Sequence, residues 1–105
     1  MPAEVAVPYR IAENRRRAIV VRSYGTEISG LDELIAHHCL EVVFTVFGPS
    51  APKLVTLIAV QHIFEHNAEV VVISHLTAAE IRAERLWQAV TGLADIVAAD
   101  GTWLP

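Results

Sequence analysis

The stretch 69-EVVVIS-74 decides the fold, because it sets three valines and an isoleucine side by side with no polar residue between them. An apolar run of this length, without alternation, is typical of a strand buried on both faces, as in a parallel sheet. Three more runs share this character: 18-AIVVRSYG-25, 42-VVFTVFG-48 and the weaker 95-DIVAADG-101. The sequence therefore predicts four strands with a covering layer on each side.

Segments with helical periodicity separate these strands. The first is expected to begin at a Ser29 cap, and the third opens with 77-TAAE-80, a capping box. The second spans about 51–67 and is expected to turn one apolar stripe towards the core: Leu54, Leu57, Val60, Phe64 and Ala68. The β-α-β-α-β-α-β order predicts a three-layer α/β fold, with a mostly parallel four-stranded sheet in the order 2-1-3-4 and three flanking helices.

Composition limits the classes of protein to which the chain can belong. With 105 residues it is expected to form a single α/β domain over 18–105, preceded by an arm or edge strand over 1–17. A net charge of −4 leaves DNA as a possible but disfavoured partner, and the run Arg15-Arg16-Arg17 is predicted to be a solvated edge. A single cysteine, Cys39, predicts a reducing, cytoplasmic location, and no stretch approaches the length of a membrane span.

Hydrophobic residues make up 53% of the chain, which is high for so short a domain. We therefore expect a homo-oligomer, most simply a dimer, although another protein partner remains possible. The segment 4-EVAVPYRIAE-13 alternates apolar and other residues in a strand pattern, and Pro8 restricts it to an edge strand or an extended arm. This arm is expected to take part in the dimer.

The stretch 62-HIFEH-66 matches the H-x-x-E-H pattern of inverted zinc-peptidases. On a helix, His62 and His66 share a face, whereas Glu65 projects to one side and the pair points away from the predicted core. A catalytic zinc site needs a third protein ligand and a supported cleft. We therefore expect no stoichiometric zinc and no other cofactor.

Ligands of doubly covered parallel sheets bind beyond the carboxyl ends of the strands. The candidate residues at that edge are Arg22, Ser23, Tyr24, Thr26, Ser50, Lys53 and His75. The loop 48-GPSAPK-53 precedes a helix N-terminus, which favours a bound anion, but the loop lacks the second glycine of a phosphate-binding loop. A receiver domain would carry its phosphoacceptor aspartate near the end of the third strand, where this chain has Ser74.

The strand layout over residues 18–100, together with the run 69-EVVVISHL-76, resembles the catalytic domain of serine recombinases of the resolvase/invertase type. It looks closest to the diverged copies of actinobacterial genomes. This resemblance implies a resolvase-like or flavodoxin-like topology. It also implies an Arg-x-Ser pattern at the end of the first strand, in which the serine attacks a DNA phosphate.

The residues at the matching positions depart from that pattern. The first strand reads Arg22-Ser23-Tyr24, so Tyr24 stands at the expected position of the serine. Lys53, His75 and Ala78 stand where the family has arginines. Since a phosphoryl-transfer site works mainly through positioned cations, we expect no recombinase activity.

These observations favour a non-catalytic binding or regulatory module over an enzyme. The two alternatives are a small enzyme that uses the crevice at the strand ends, and a receiver-like signalling domain without its phosphoacceptor. A deep polar pocket at the strand ends would favour the enzyme. A filled crevice with a large apolar surface elsewhere would favour the module.

Overall fold

The predicted strands form one sheet in the computed structural model, which describes residues 15–23, 30–48 and 52–105. The elements in chain order are β1 (Arg16–Ser23), α1 (Leu31–His37), β2 (Leu40–Gly48), α2 (Pro52–His66), β3 (Val70–Ile73), α3 (Ala78–Ala83), α4 (Arg85–Val90), β4 (Asp95–Val97) and β5 (Trp103–Leu104). The α/β class and the mostly parallel sheet are confirmed. None of the helices in these ranges is long and apolar enough to cross a bilayer.

The sheet has five strands in the order β2-β1-β3-β4-β5, rather than the predicted four. The additional strand, β5, runs antiparallel to β4 and pairs Trp103 with Val97. A turn closed by a hydrogen bond from the Ala98 nitrogen to the Thr102 oxygen (2.9 Å) joins them, with Gly101 at φ 86°. Two residues are too few to show any period, so the sequence pattern did not indicate this strand.

Helices cover both faces of the sheet, so the predicted three layers are present. Helix α1 packs on one face, where Val70 and Val72 of β3 belong to the smaller core cluster. The other helices pack on the opposite face, where Val71 and Ile73 belong to the larger cluster. All four β3 side chains are fully buried, as the unbroken apolar run predicts.

The buried side of α2 differs from the predicted stripe. Val55, Ala59 and Ile63 face the sheet, whereas the side chains of Leu57 and Phe64 are 60% and 66% exposed. Leu54 is also exposed and Val60 is half-buried, and only Ala68, just beyond the helix, is buried as predicted. Apolar residues occur on almost every side of α2, so helical periodicity defines no single face and contact with β1 and β2 selects one.

The third predicted helix is two helices. Its capping box is confirmed, because the Glu80 nitrogen donates to Thr77 Oγ1 (3.3 Å) and the Thr77 nitrogen donates to Glu80 Oε1 (2.9 Å). The chain then becomes extended at Glu84, whose carboxylate accepts from the Leu86 nitrogen (3.2 Å) and caps α4. At α1 the capping position is held by Gly30; Ser29, the expected cap, lies outside the described residues.

The arginine run is not the solvated edge that the sequence suggested. Arg16 donates to Asp95 (2.9 Å) and Glu69 (3.2 Å), and its guanidinium lies 5.1 Å from the centre of the Trp103 ring. Arg17 Nε donates to the His66 carbonyl (2.8 Å). Burial opposes the charge, but the bonds to Asp95 and Glu69 outweigh it and raise the pKa of Arg16. Two arginines therefore join the ends of neighbouring elements, and only Arg15 is exposed.

Candidate functional site

A crevice of about 290 Å³ lies at the carboxyl ends of β1 and β3, the edge where the sequence placed a ligand site. Ser23 is the last residue of β1, and His75 follows the end of β3 by two residues. Because β1 and β3 are parallel neighbours, their ends meet there. The residues that line the crevice are Ser23, Val55, His75, Leu76, Glu80, Glu84 and Trp87.

Of the seven candidate residues, the crevice brings two together. Arg22 points to the other face of the sheet, as strand alternation predicts, and its guanidinium lies 4.8 Å from the centre of the Phe47 ring. Lys53 is exposed at the start of α2 and does not line the crevice. Tyr24, Thr26 and Ser50 lie outside the described residues. The crevice is therefore a Ser23–His75 pair without the predicted cations.

The crevice also contains residues that the sequence pattern had not assigned to a site. Glu80 and Glu84 border it, although both carboxylates also cap helices. Trp87, only 1% exposed, contributes an apolar wall. The capping box identified Glu80 as a helix-start residue but gave no sign that α3 would pack over the strand ends. Two carboxylates, with no arginine or lysine among the described residues of the lining, make this a poor site for a phosphate.

His75 is the titratable group that the crevice perturbs most clearly. Burial lowers the pKa of His75, while the Val21 backbone and the Glu80 carboxylate oppose part of that effect. Its Nδ1 is buried and has no hydrogen-bond partner among the described residues. The neighbouring Ser74 is satisfied, because its hydroxyl donates to the Val21 oxygen (2.9 Å). A neutral imidazole with one free nitrogen could donate to or accept from a small polar ligand.

The lowered pKa of His75 predicts a pH-dependent stability. An unfolded histidine titrates near pH 6.5, so on acidification the unfolded chain takes up this proton before the folded chain does. The contribution of His75 is therefore complete above that pH and is lost as the pH falls towards its folded pKa. We expect His75→Gln to make the fall in unfolding free energy between about pH 7.5 and 5.5 shallower, as measured by urea unfolding.

His37→Gln is the matched control, because His37 is exposed at the end of α1. This variant should keep the pH dependence of the natural chain. If the His75→Gln profile runs parallel to that of the natural chain, the half-buried neutral state of His75 is contradicted.

A second feature is a set of exposed apolar side chains on β2 and α2, which we call the β2–α2 surface. It consists of six large side chains that are between 37% and 66% exposed: Val42, Phe44, Phe47, Leu54, Leu57 and Phe64. Strand β2 is nine residues long, lies at the edge of the sheet, and pairs only with β1 among the described residues. Phe47 lies on the α1 side of the sheet, where Arg22 contacts it, whereas Phe44 lies on the α2 side against His62 and His66. The exposed apolar side chains therefore flank the outer edge of β2 on both faces, and exposed apolar side chains beside an edge strand mark a candidate interaction site.

The resemblance to serine recombinases, which the strand layout and the third strand suggested, stays a prediction. No protein-family model, no curated protein and no solved structure matches the chain.

Proposed function

We propose that this chain is a non-catalytic α/β module of resolvase-like layout, which acts by binding protein, most simply a second copy of itself, through the β2–α2 surface. The observation that carries the proposal is the exposure of three phenylalanines and three aliphatic residues on adjacent elements. Interface centres are depleted in charge and enriched in aromatic residues. β2 fits that description, because Glu41 is its only charged residue.

A second copy suits this surface because an edge strand is self-complementary. Two β2 strands related by a two-fold axis would pair antiparallel, and each would cover the edge of the other that no described strand covers.

The dimer is tested by light scattering on full-length protein. We expect the mass of a dimer, and we expect Val42→Lys to be monomeric because a lysine on an edge strand opposes strand pairing. Val42 is 37% exposed, so the fold should tolerate the change, which circular dichroism checks. Ala89→Lys, on the exposed side of α4, is the control and should remain a dimer.

A monomeric natural chain rejects the proposal, and a dimeric Val42→Lys variant rejects β2 as its interface. The arm segment 4–13 lies outside the described residues, and a chain that begins at Arg15 tests its part in the dimer. Conversion of that shorter chain to a monomer assigns the arm to the interface. A dimer that survives the truncation removes the arm and leaves the β2–α2 surface as the contact.

The main alternative is an enzyme that uses the crevice. Ser23 and His75 lie in one cavity, which suits a small polar ligand. Phosphoryl transfer is disfavoured there, because the lining contains Glu80 and Glu84 but no arginine or lysine among the described residues.

DNA binding is also disfavoured, since Arg16 and Arg17 already donate hydrogen bonds to acceptors of the chain itself. A receiver-like role has Ser74 where a phosphoacceptor carboxylate would be needed.

A further inference from the structure

We propose that α2 carries a binding site for one divalent transition-metal ion, formed by His62, Glu65 and His66. One ligand atom from each of these residues lies within 4.8 Å of the other two. No other trio of histidine, cysteine or acidic residues in the described part of the chain satisfies this condition. The site is separate from the crevice and requires one chain only.

The three ligands converge because they occupy positions i, i+3 and i+4 of a helix, which lie on one face. The helical wheel placed Glu65 to one side, yet in the structure its Oε1 lies 4.0 Å from His62 Nδ1. The other carboxylate oxygen accepts a hydrogen bond from Gln61 Nε2 (3.0 Å). Gln61 therefore orients the carboxylate, and the third ligand that the sequence seemed to lack is present on the same helix.

An irregularity in β2 supports the histidines from the other side. The β1–β2 register skips Val43, and such a bulge re-aims the following side chain. The Phe44 ring stacks against both imidazoles, with centroid distances of 4.1 Å to His62 and 5.0 Å to His66. The three rings are within 20° of parallel. Phe44 thus restricts the imidazoles before any ion arrives, which lowers the entropy cost of binding.

The buried nitrogen of His62 points to a ligand. The side chain of His62 is 18% exposed, and its Nδ1 has no hydrogen-bond partner among the described residues. Leaving such a nitrogen unsatisfied destabilises the folded state, and a bound cation shared with Glu65 and His66 relieves that cost. The pair therefore does not point away from the core, as the helical wheel suggested.

Ligand chemistry selects the ion. Two imidazole nitrogens and one carboxylate oxygen suit zinc, cobalt, nickel and copper, whereas calcium and magnesium prefer oxygen ligands. Metal–ligand bonds of about 2.0–2.2 Å place neighbouring tetrahedral ligand atoms about 3.3 Å apart. The ligand atoms now lie up to 4.8 Å apart, so binding requires side-chain rotations that bring them closer together. Three protein ligands leave a fourth position for water.

The experiment titrates untagged full-length protein with Co²⁺, followed by visible absorption, and with Zn²⁺, followed by calorimetry. We expect one ion per chain. Loss of an outer-shell partner weakens metal binding by about 10–100-fold, so His66→Ala and Glu65→Gln, which remove ligands, should weaken it at least that much. Gln61→Ala, which removes an outer-shell partner of Glu65, should weaken metal binding by an amount within that range. His37→Ala, an exposed histidine on α1, should bind as the natural chain does.

Three results would overturn the site: no saturable binding, unchanged affinity in both His66→Ala and Glu65→Gln, or loss of binding in His37→Ala. The Val42→Lys variant separates this proposal from dimerisation, because the three ligands belong to one helix of one chain. Its stoichiometry should remain one ion per chain. A metal signal that disappears with the dimer would show that the ion is held between chains and would reject the single-chain site.

Discussion

Replacement of Trp87 by alanine is expected to lower the free energy of unfolding by about 3–5 kcal/mol. Trp87 is 1% exposed and belongs to the larger core cluster between the sheet and the helices on that face. Its removal leaves a cavity that the surrounding strands cannot fill without moving. Since small domains have about 5–15 kcal/mol of stability in total, this variant should be close to unfolding at physiological temperature. Urea unfolding followed by far-ultraviolet circular dichroism measures the change.

Leu86→Ala provides the matched control on the same helix, because Leu86 is 38% exposed. Leu86→Ala should lower the free energy of unfolding much less than Trp87→Ala does. Trp87→Phe, which keeps an aromatic ring, should lower it by an intermediate amount. If Trp87→Ala unfolds no more easily than Leu86→Ala, the packing of α4 against the sheet is contradicted. If Trp87→Ala does not fold, the Trp87→Phe comparison still tests the position.

The pair Ile63→Ala and Phe64→Ala tests which side of α2 is buried. Ile63 is 4% exposed in the core, so its truncation should lower the unfolding free energy by about 2–5 kcal/mol. Phe64 is 66% exposed, and truncation of a surface side chain usually changes stability by no more than about 0.5 kcal/mol. Both variants gain the same alanine in the same helix, so differences in helix propensity are small beside this contrast.

These two variants should be compared in the Val42→Lys background, because the apparent stability of a dimer depends on protein concentration. In the natural background, Phe64→Ala should instead weaken association, since Phe64 belongs to the β2–α2 surface. The reverse order of stabilities, with Phe64→Ala the more damaging, would restore the predicted apolar stripe. It would also remove α2 from the proposed interface.

The candidate crevice shows which site residues the strand pattern can predict and which it cannot. Alternation along β1 was sufficient to place Arg22 and Ser23 on opposite faces, and parallel order was sufficient to bring Ser23 and His75 to one edge. The carboxylates and Trp87 were not predictable, because their positions depend on where α3 and α4 dock. Glu80 carries a local signal as a capping residue, and that signal contains nothing about the strand ends.

The proposed metal site and the exposed apolar side chains show the same limit on α2. The H-x-x-E-H pattern was visible, but the contribution of Glu65 depends on its bond from Gln61, and the support of the rings depends on a bulge in another strand. Neither feature has a signature in helical periodicity. The exposure of Phe64 likewise follows from the rotation of α2 against β1 and β2, which a helix with apolar residues on most sides leaves open.

Local sequence pattern was thus sufficient where the residues of one segment alone indicate its structure, as in an unbroken apolar run or a capping motif. The apolar runs specified where β1 to β4 lie, and the capping box specified the start of α3. Strands β1, β3 and β4 are buried on both faces as such runs predict, whereas β2 has the same kind of run with Val42, Phe44 and Phe47 exposed. Packing between distant segments selected the buried side of α2, the break at Glu84, the short β5 and the partners of Arg16. Those choices depend on contacts between residues far apart in the chain, and the free energy of such contacts has no period along the sequence.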